Sequence, residues 1–311
     1  MTTHRSRPTR NVKLEVKAGD RKAKHPSQWT VLGRLAVLGL AGGALLLGAG
    51  TAQAGHGSSP QAVASAIASG SPDAIKSELE RSEYLACAAC VNYVLPLVDN
   101  NDVGIREVAG WWLVRRASGR KVFTDMLTRL SQPDSIKARN AADVLGSFAY
   151  PQAIPALGAA LSNPIYTGEA RAAMARALGT IRRPAAEVPL RAVLTDAEPM
   201  VRAASLQALR NVEGFTDGTV GVPLLADGDE NVRVQAVFTV AQFRTQTAAP
   251  ALVQLLKSDA SANVRKRAAW ALGQMHVSSS VAAGPLTEAS QGDSSPLVRS
   301  LARAALASLS P

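Results

Sequence analysis

Two cysteines three residues apart, in Cys87-Ala88-Ala89-Cys90, are the only thiols of the 311-residue chain and the residues best suited to chemistry. Placed i, i+3 on a helix they bring their Cβ atoms to about 5–6 Å, near the range in which a disulfide closes. Three states are open to such a pair: a structural disulfide, a pair that exchanges with a thiol or electron-transfer partner, and two reduced core thiols. An oxidising compartment selects the disulfide. Covalent haem attachment needs His after the second Cys, where Val91 stands. Zinc needs two more ligands, and none is near in sequence. No Ser/His/Asp nucleophile set, glycine-rich phosphate loop or carboxylate pair stands out, so no catalytic residue, metal ligand or cofactor is expected.

A second constellation is charged. An Asp precedes an Arg by six residues four times, as Asp196 and Arg202, Asp227 and Arg233, Asp259 and Arg265, and Asp293 and Arg299. With the Asp on a turn and the Arg at the start of a helix, such a pair is placed to cap the helix N-terminus and to bridge to a neighbouring unit.

The elements that carry these residues repeat. Aligned on Arg106, Ala138, Arg171, Arg202, Arg233, Arg265 and Arg299, seven copies recur every 31 to 34 residues. Within a copy the apolar positions fall on one helical face, as in Val264, Ala268, Ala271 and Leu272. Gly146, Gly179 and Gly273 stand where a C-terminal cap is needed. A second apolar segment, usually with Pro, lies between copies: Val188-Pro189-Leu190 and Ala249-Pro250-Ala251-Leu252 are examples. Each unit is therefore a helical hairpin that buries its face only by stacking. Ser59-Pro60 and Ser71-Pro72 start two short helices, about 60–69 and 72–81, that cap the N-terminal end. Low aromatic content (4%) with abundant Ala and Leu argues against strands.

These residues resemble the HEAT repeat, in its short, alanine-rich form known from phycobilisome-lyase-like proteins, over about residues 83–311. The resemblance implies an all-α fold, a right-handed solenoid of about seven hairpins, with an Asp/Arg ladder along it. Two departures stand out: Ala138 interrupts the ladder, and the segment near Pro223 leaves only ten residues before Arg233, so that unit is compressed. Enzymes of related architecture set tests that this sequence does not meet. HEAT-type diiron hydroxylases need several His-Glu pairs, and here no His is followed by Glu, with His276 the sole His of the repeats. Bilin lyases work in the cytoplasm, and HEAT-like DNA glycosylases need a basic intracellular groove.

Charge bears on both points. Residues 1–54 hold nine Lys or Arg against Glu15 and Asp20, whereas the rest of the chain carries 25 basic and 22 acidic residues, so the net charge of +10 is concentrated at one end. The near-neutral body gives nucleic acid little to hold. The basic stretch runs into the apolar segment Leu35–Gly50 and then Thr51-Ala52-Gln53-Ala54, the three-part pattern of a secretory signal peptide. Cleavage is expected after Ala54, leaving 55–82 as linker and capping helices, 83–311 as the solenoid, and a protein that is periplasmic or secreted, with the membrane met only during export.

Counting from the repeat residue as position 0, positions +3, +4 and +7 face the core and +1, +5 and +9 face away. Position +5 holds Trp111, Asp143, Arg176, Gln207, Phe238, Trp270 and Ala304. Three of the chain's 13 aromatics stand at this outward position, as candidates for partner anchors on a concave face or as rings leaning over the groove between helices. Trp112 reads as core, and Arg115, Arg116, Arg120 and Lys121 as a solvated helix end. The expected function is an exported, non-catalytic scaffold that binds a protein partner of unknown identity; the alternative is a periplasmic redox accessory protein using Cys87 and Cys90.

Overall fold

Two Ser-Pro dipeptides start the first two helices of the computed structural model, which describes residues 57–309. The leader expected over 1–54, and the new N-terminus expected at Gly55, lie outside the described residues. In α1 (Pro60–Ala68) the Ser59 Oγ accepts the Ala62 N–H at 3.1 Å, and in α2 (Pro72–Arg81) the Ser71 Oγ accepts the Ala74 N–H at 3.4 Å. Each Pro occupies the first turn, where its missing N–H costs nothing.

The chain continues through α3 (Cys90–Val94), a 3-10 turn (Leu95–Asp99), α4 (Val103–Leu113), α5 (Gly119–Leu130), α6 (Ser135–Phe148), α7 (Ile154–Leu161), α8 (Gly168–Ile181), α9 (Glu187–Ala192) and α10 (Pro199–Leu209). Two 3-10 turns follow, Gly218–Gly221 and Pro223–Ala226. The remaining helices are α11 (Glu230–Gln242), α12 (Ala249–Ser258), α13 (Ala262–Gln274), α14 (Ser279–Gly292) and α15 (Pro296–Ser308). No strand occurs among the described residues.

The result is an all-α solenoid. The seven second helices α4, α6, α8, α10, α11, α13 and α15 carry the repeat residue at position 0 and pack each on the next. The first helices form the other layer, α5 on α7 on α9, and α12 on α14. Their apolar faces close on one continuous core in which Trp112, Leu145, Leu178 and Leu272 are fully buried, while Gln207 at the opposite phase is exposed. The N-terminal cap follows the same plan: α2 packs on α4 and α1 on α3, so the capping helices form an additional hairpin in series. The compressed unit has no α-helix in its first position, only the turns Gly218–Gly221 and Pro223–Ala226.

Several expectations are corrected. Gly146, Gly179 and Gly273 do not cap their helices. They lie inside α6, α8 and α13, where a Cβ would meet Ala177, Ala208 and Ala305 of the next second helix with contacts down to 3.0, 2.7 and 3.0 Å. Glycine at position +8 thus lets adjacent helices touch at Ala of position +6. The turn beyond is made by non-glycine residues with positive φ, Ala149, Arg182, Arg244 and His276, all at position +11. Cys87 is not helical: it precedes a turn, and only Cys90 begins α3. Position +1 is not uniformly outward either, since Ala172 and Val234 are buried.

Candidate functional site

Each regular second helix begins with an Arg that reaches forward. Arg202 donates from Nε and Nη2 to the two Asp227 carboxylate oxygens at 2.8 and 2.7 Å. Arg233 does the same to Asp259 at 2.7 and 3.0 Å, and Arg265 to Asp293 at 2.8 and 3.0 Å. The third nitrogen, Nη1, turns back to the carbonyl of the Asp in its own repeat: Asp196 for Arg202, Asp227 for Arg233, Asp259 for Arg265 and Asp293 for Arg299. One planar guanidinium therefore ties a turn to its own helix and to the next repeat, a geometry lysine cannot supply. These paired side chains are largely buried, and the Asp293 carboxyl is held below its usual value first by its hydrogen bond to Arg265, against the opposing effect of burial.

The ladder runs further than its sequence signature. Arg171 pairs with Asp196, and Arg106 pairs with Asp143, which is buried on α6 and is not outward as its position +5 suggests. With Ala138 in place of Arg and Gln132 where the ladder Asp would stand, the carboxylate comes from the helix itself. The Asp residues do not cap the helices. Their Oδ1 accepts the N–H two residues on, as in Asp227 to Asp229 at 2.9 Å and Asp259 to Ser261 at 2.8 Å, and it is Asp229 and Ser261 that cap α11 and α13.

The three aromatics of position +5 are all half-buried. Phe238 on α11 and Trp270 on α13 meet edge to face with ring centroids 5.5 Å apart. Two guanidiniums lie against Phe238, Arg267 at 4.7 Å and Arg210 at 5.7 Å from the ring centre. Arg210 stands at position +8, where three other repeats have Gly, and donates to the Gln235 carbonyl, the Gln235 side chain and Thr239 Oγ1. Burial alone moves its pKa down to about 10. Trp111 stands apart from this cluster on α4, under the Arg115 guanidinium at 4.2 Å. Its surroundings carry both signs: Glu107, one turn earlier on α4, has its carboxyl raised first by desolvation and then by Asp143, with Arg176, Arg106 and Lys76 opposing. Sequence reading thus found the rings but missed Arg210 and Arg267, which bear no spacing signal because their shared partner, Phe238, lies on a neighbouring helix.

Trp112 is core, its Nε1–H donating to Ser82 Oγ at 2.9 Å. The basic group beside it disperses: Arg115 pairs with Glu83, Arg116 stacks on Trp112, and Lys121 pairs with Asp125. Cys87 and Cys90 form a disulfide, and both are buried, with the Cys90 N–H directed at Cys87 Sγ at 3.0 Å. Between the compressed repeat and α12 lies a groove of about 430 Å³ walled by Val222, Leu225 and Leu255. Among the described residues no helix is long and apolar enough to cross a membrane.

A family profile described as HEAT repeats matches residues 121–210 and 222–307, more than half of the chain. The chain belongs to the HEAT-repeat family. The unmatched gap between the two HEAT segments, 211–221, falls where the first helix is replaced by 3-10 turns. No relative was found among curated protein sequences. Among solved structures this HEAT-repeat chain is similar to the Escherichia coli protein YibA, at 17% identity over 76% of this chain and 88% of that one, with a TM-score of 0.49. It is also similar to the complex of CpcE and CpcF of phycocyanin lyase from Nostoc sp. PCC7120, at 20% identity, 71% and 94% coverage and a TM-score of 0.40. A third likeness is to human deoxyhypusine hydroxylase in complex with glycerol, at 19% identity, 80% and 96% coverage and a TM-score of 0.35. All three are low similarities.

Proposed function

We propose that this HEAT-repeat chain is a non-catalytic scaffold, exported from the cytoplasm, that holds a protein partner on the face of its second helices turned away from the first. One observation carries the reading. Phe238 and Trp270 meet on adjacent repeats, half-exposed, at a position where other repeats accept Gln207 and Ala304 without loss of the fold. Rings placed in this way bring large apolar area with few rotors, the usual make-up of an interface anchor. Phe238→Ala is the most direct probe, and capture of the native partner is expected to weaken at least about tenfold with the thermal midpoint nearly unchanged. A large drop in midpoint with undiminished capture would show the rings to be packing residues.

Export rests on the leader pattern of residues 1–54, and sequencing of the protein from its native host is expected to start at Gly55; the uncleaved chain in washed membranes would overturn this. The buried position of Cys87 and Cys90 favours a clamp on the first repeat over an exchanging pair, because exchange needs an attacking thiolate to reach a sulfur.

A further inference from the structure

We propose that Lys266, Arg267, Phe238 and Trp270 together receive an acidic segment of the protein partner, the two cations meeting its carboxylates and the two rings an apolar side chain beside them. This rests on the scaffold reading and names the chemistry of what the scaffold holds.

Positive charge on this surface is left uncompensated. Three cations on α10, α11 and α13 belong to the ladder and are neutralised there, Arg202 by Asp227, Arg233 by Asp259 and Arg265 by Asp293. Arg210, Lys266 and Arg267 have no carboxylate within ion-pair distance among the described residues. The sole acidic residue within these three helices is Glu230, at the first turn of α11, where it accepts from Asn263 at 3.1 Å. A net positive strip is therefore left on a chain whose body is otherwise close to neutral.

The strip is also shaped. Lys266 and Trp270 are one helical turn apart and so lie on the same side of α13. Arg267 stacks over Phe238, and its Nε is buried without a hydrogen-bond partner. The ring restrains the guanidinium, so that little rotamer freedom is lost when a carboxylate arrives. Arg210, held from below by Gln235 and Thr239, adds positive potential without being free to move. Partial burial strengthens each of these attractions relative to open water.

Three fluorescein-labelled peptides differing only in charge test this: Glu-Glu-Phe-Glu-Glu, Gln-Gln-Phe-Gln-Gln and Lys-Lys-Phe-Lys-Lys, titrated with the full-length mature chain by anisotropy. The Glu peptide is expected to bind at least about tenfold more tightly than the Gln peptide, and to weaken severalfold as salt rises from about 50 to about 300 mM. In the Lys266→Gln/Arg267→Gln variant that preference is expected to vanish with the thermal midpoint kept, while residual binding of the Gln peptide is unchanged. Equal binding of Glu and Gln peptides, both lost in Trp270→Ala, would overturn the carboxylate inference and leave the scaffold reading standing. Preference for the Lys peptide, failure of the Glu peptide to bind, or a Glu preference that survives the double variant would also overturn it. The scaffold reading is judged separately, by partner capture with Phe238→Ala.

Discussion

Asp259 holds two donors of Arg233 and the N–H of Ser261 while almost fully buried, so its removal strands a guanidinium in a place water reaches poorly. Asp259→Ala is expected to cost about 3 kcal/mol in denaturant unfolding, more than the surface ion pair Lys121–Asp125 could account for. The ladder also sets an acid limit. The Asp293 and Asp227 carboxyls sit below the ordinary value of 3.8, so on acidification the unfolded chain takes up protons before the folded one. Their stabilisation is complete above that ordinary value and is lost as pH falls through the lower folded-state values. Unfolding midpoints should thus change little from this source between about pH 7 and 5, and Asp293→Asn should flatten the decline below about pH 4. Gly179 gives a steric counterpart: Gly179→Ala places a methyl 2.7 Å from the Ala208 Cα, which α8 and α10 must part to admit, for an expected loss of about 1–3 kcal/mol by the same measurement. The ladder was readable because two charged side chains recur at fixed spacing. The glycine seats were not, since a helix-ending Gly and a close-contact Gly look alike until the Ala about thirty residues on is placed against it.

At the scale of elements, periodicity and Ser-Pro signals located nearly every helix, because a helical hairpin is a local object with a 3.6-residue signature. The region around the cysteines escaped because its determinants are tertiary. Ser82 is tied by the Trp112 indole and its carbonyl by Arg116, which ends α2 at Arg81 and sends Leu85–Cys87 across the end of the hairpin without helix. The disulfide then spans a turn, and closing so short a loop is worth at most about 2 kcal/mol. Reduction is accordingly expected to leave the global unfolding midpoint almost in place and to raise amide exchange chiefly in α3, as hydrogen exchange with and without reductant would show; collapse of the whole midpoint would assign the pair a larger structural role.

Over the whole molecule, stability is a sum of neighbouring interfaces, so the weakest joint is where an element is missing. The repeat that has only the turns Gly218–Gly221 and Pro223–Ala226 in its first position should show the fastest amide exchange between α4 and α15, and uniform protection along the solenoid would refute this. The architecture was legible because repetition multiplies a faint pattern seven times. The proposed interaction face was legible only in its rings, since the arginines around Phe238 reach it by proximity across helices. Three junctions carry the same seat, Gly146 on Ala177, Gly179 on Ala208 and Gly273 on Ala305, and a folding chain could mistake one for another. The junction of α10 with α11 is spelled differently, by Arg210 donating to Thr239 and Gln235. Were a repeat skipped and α13 docked on α10, Arg210 would find Ala271 at that place, with no side-chain acceptor to offer. A chain of near-synonymous units thus holds one unmistakable word, which fixes the order in which all the others must be read.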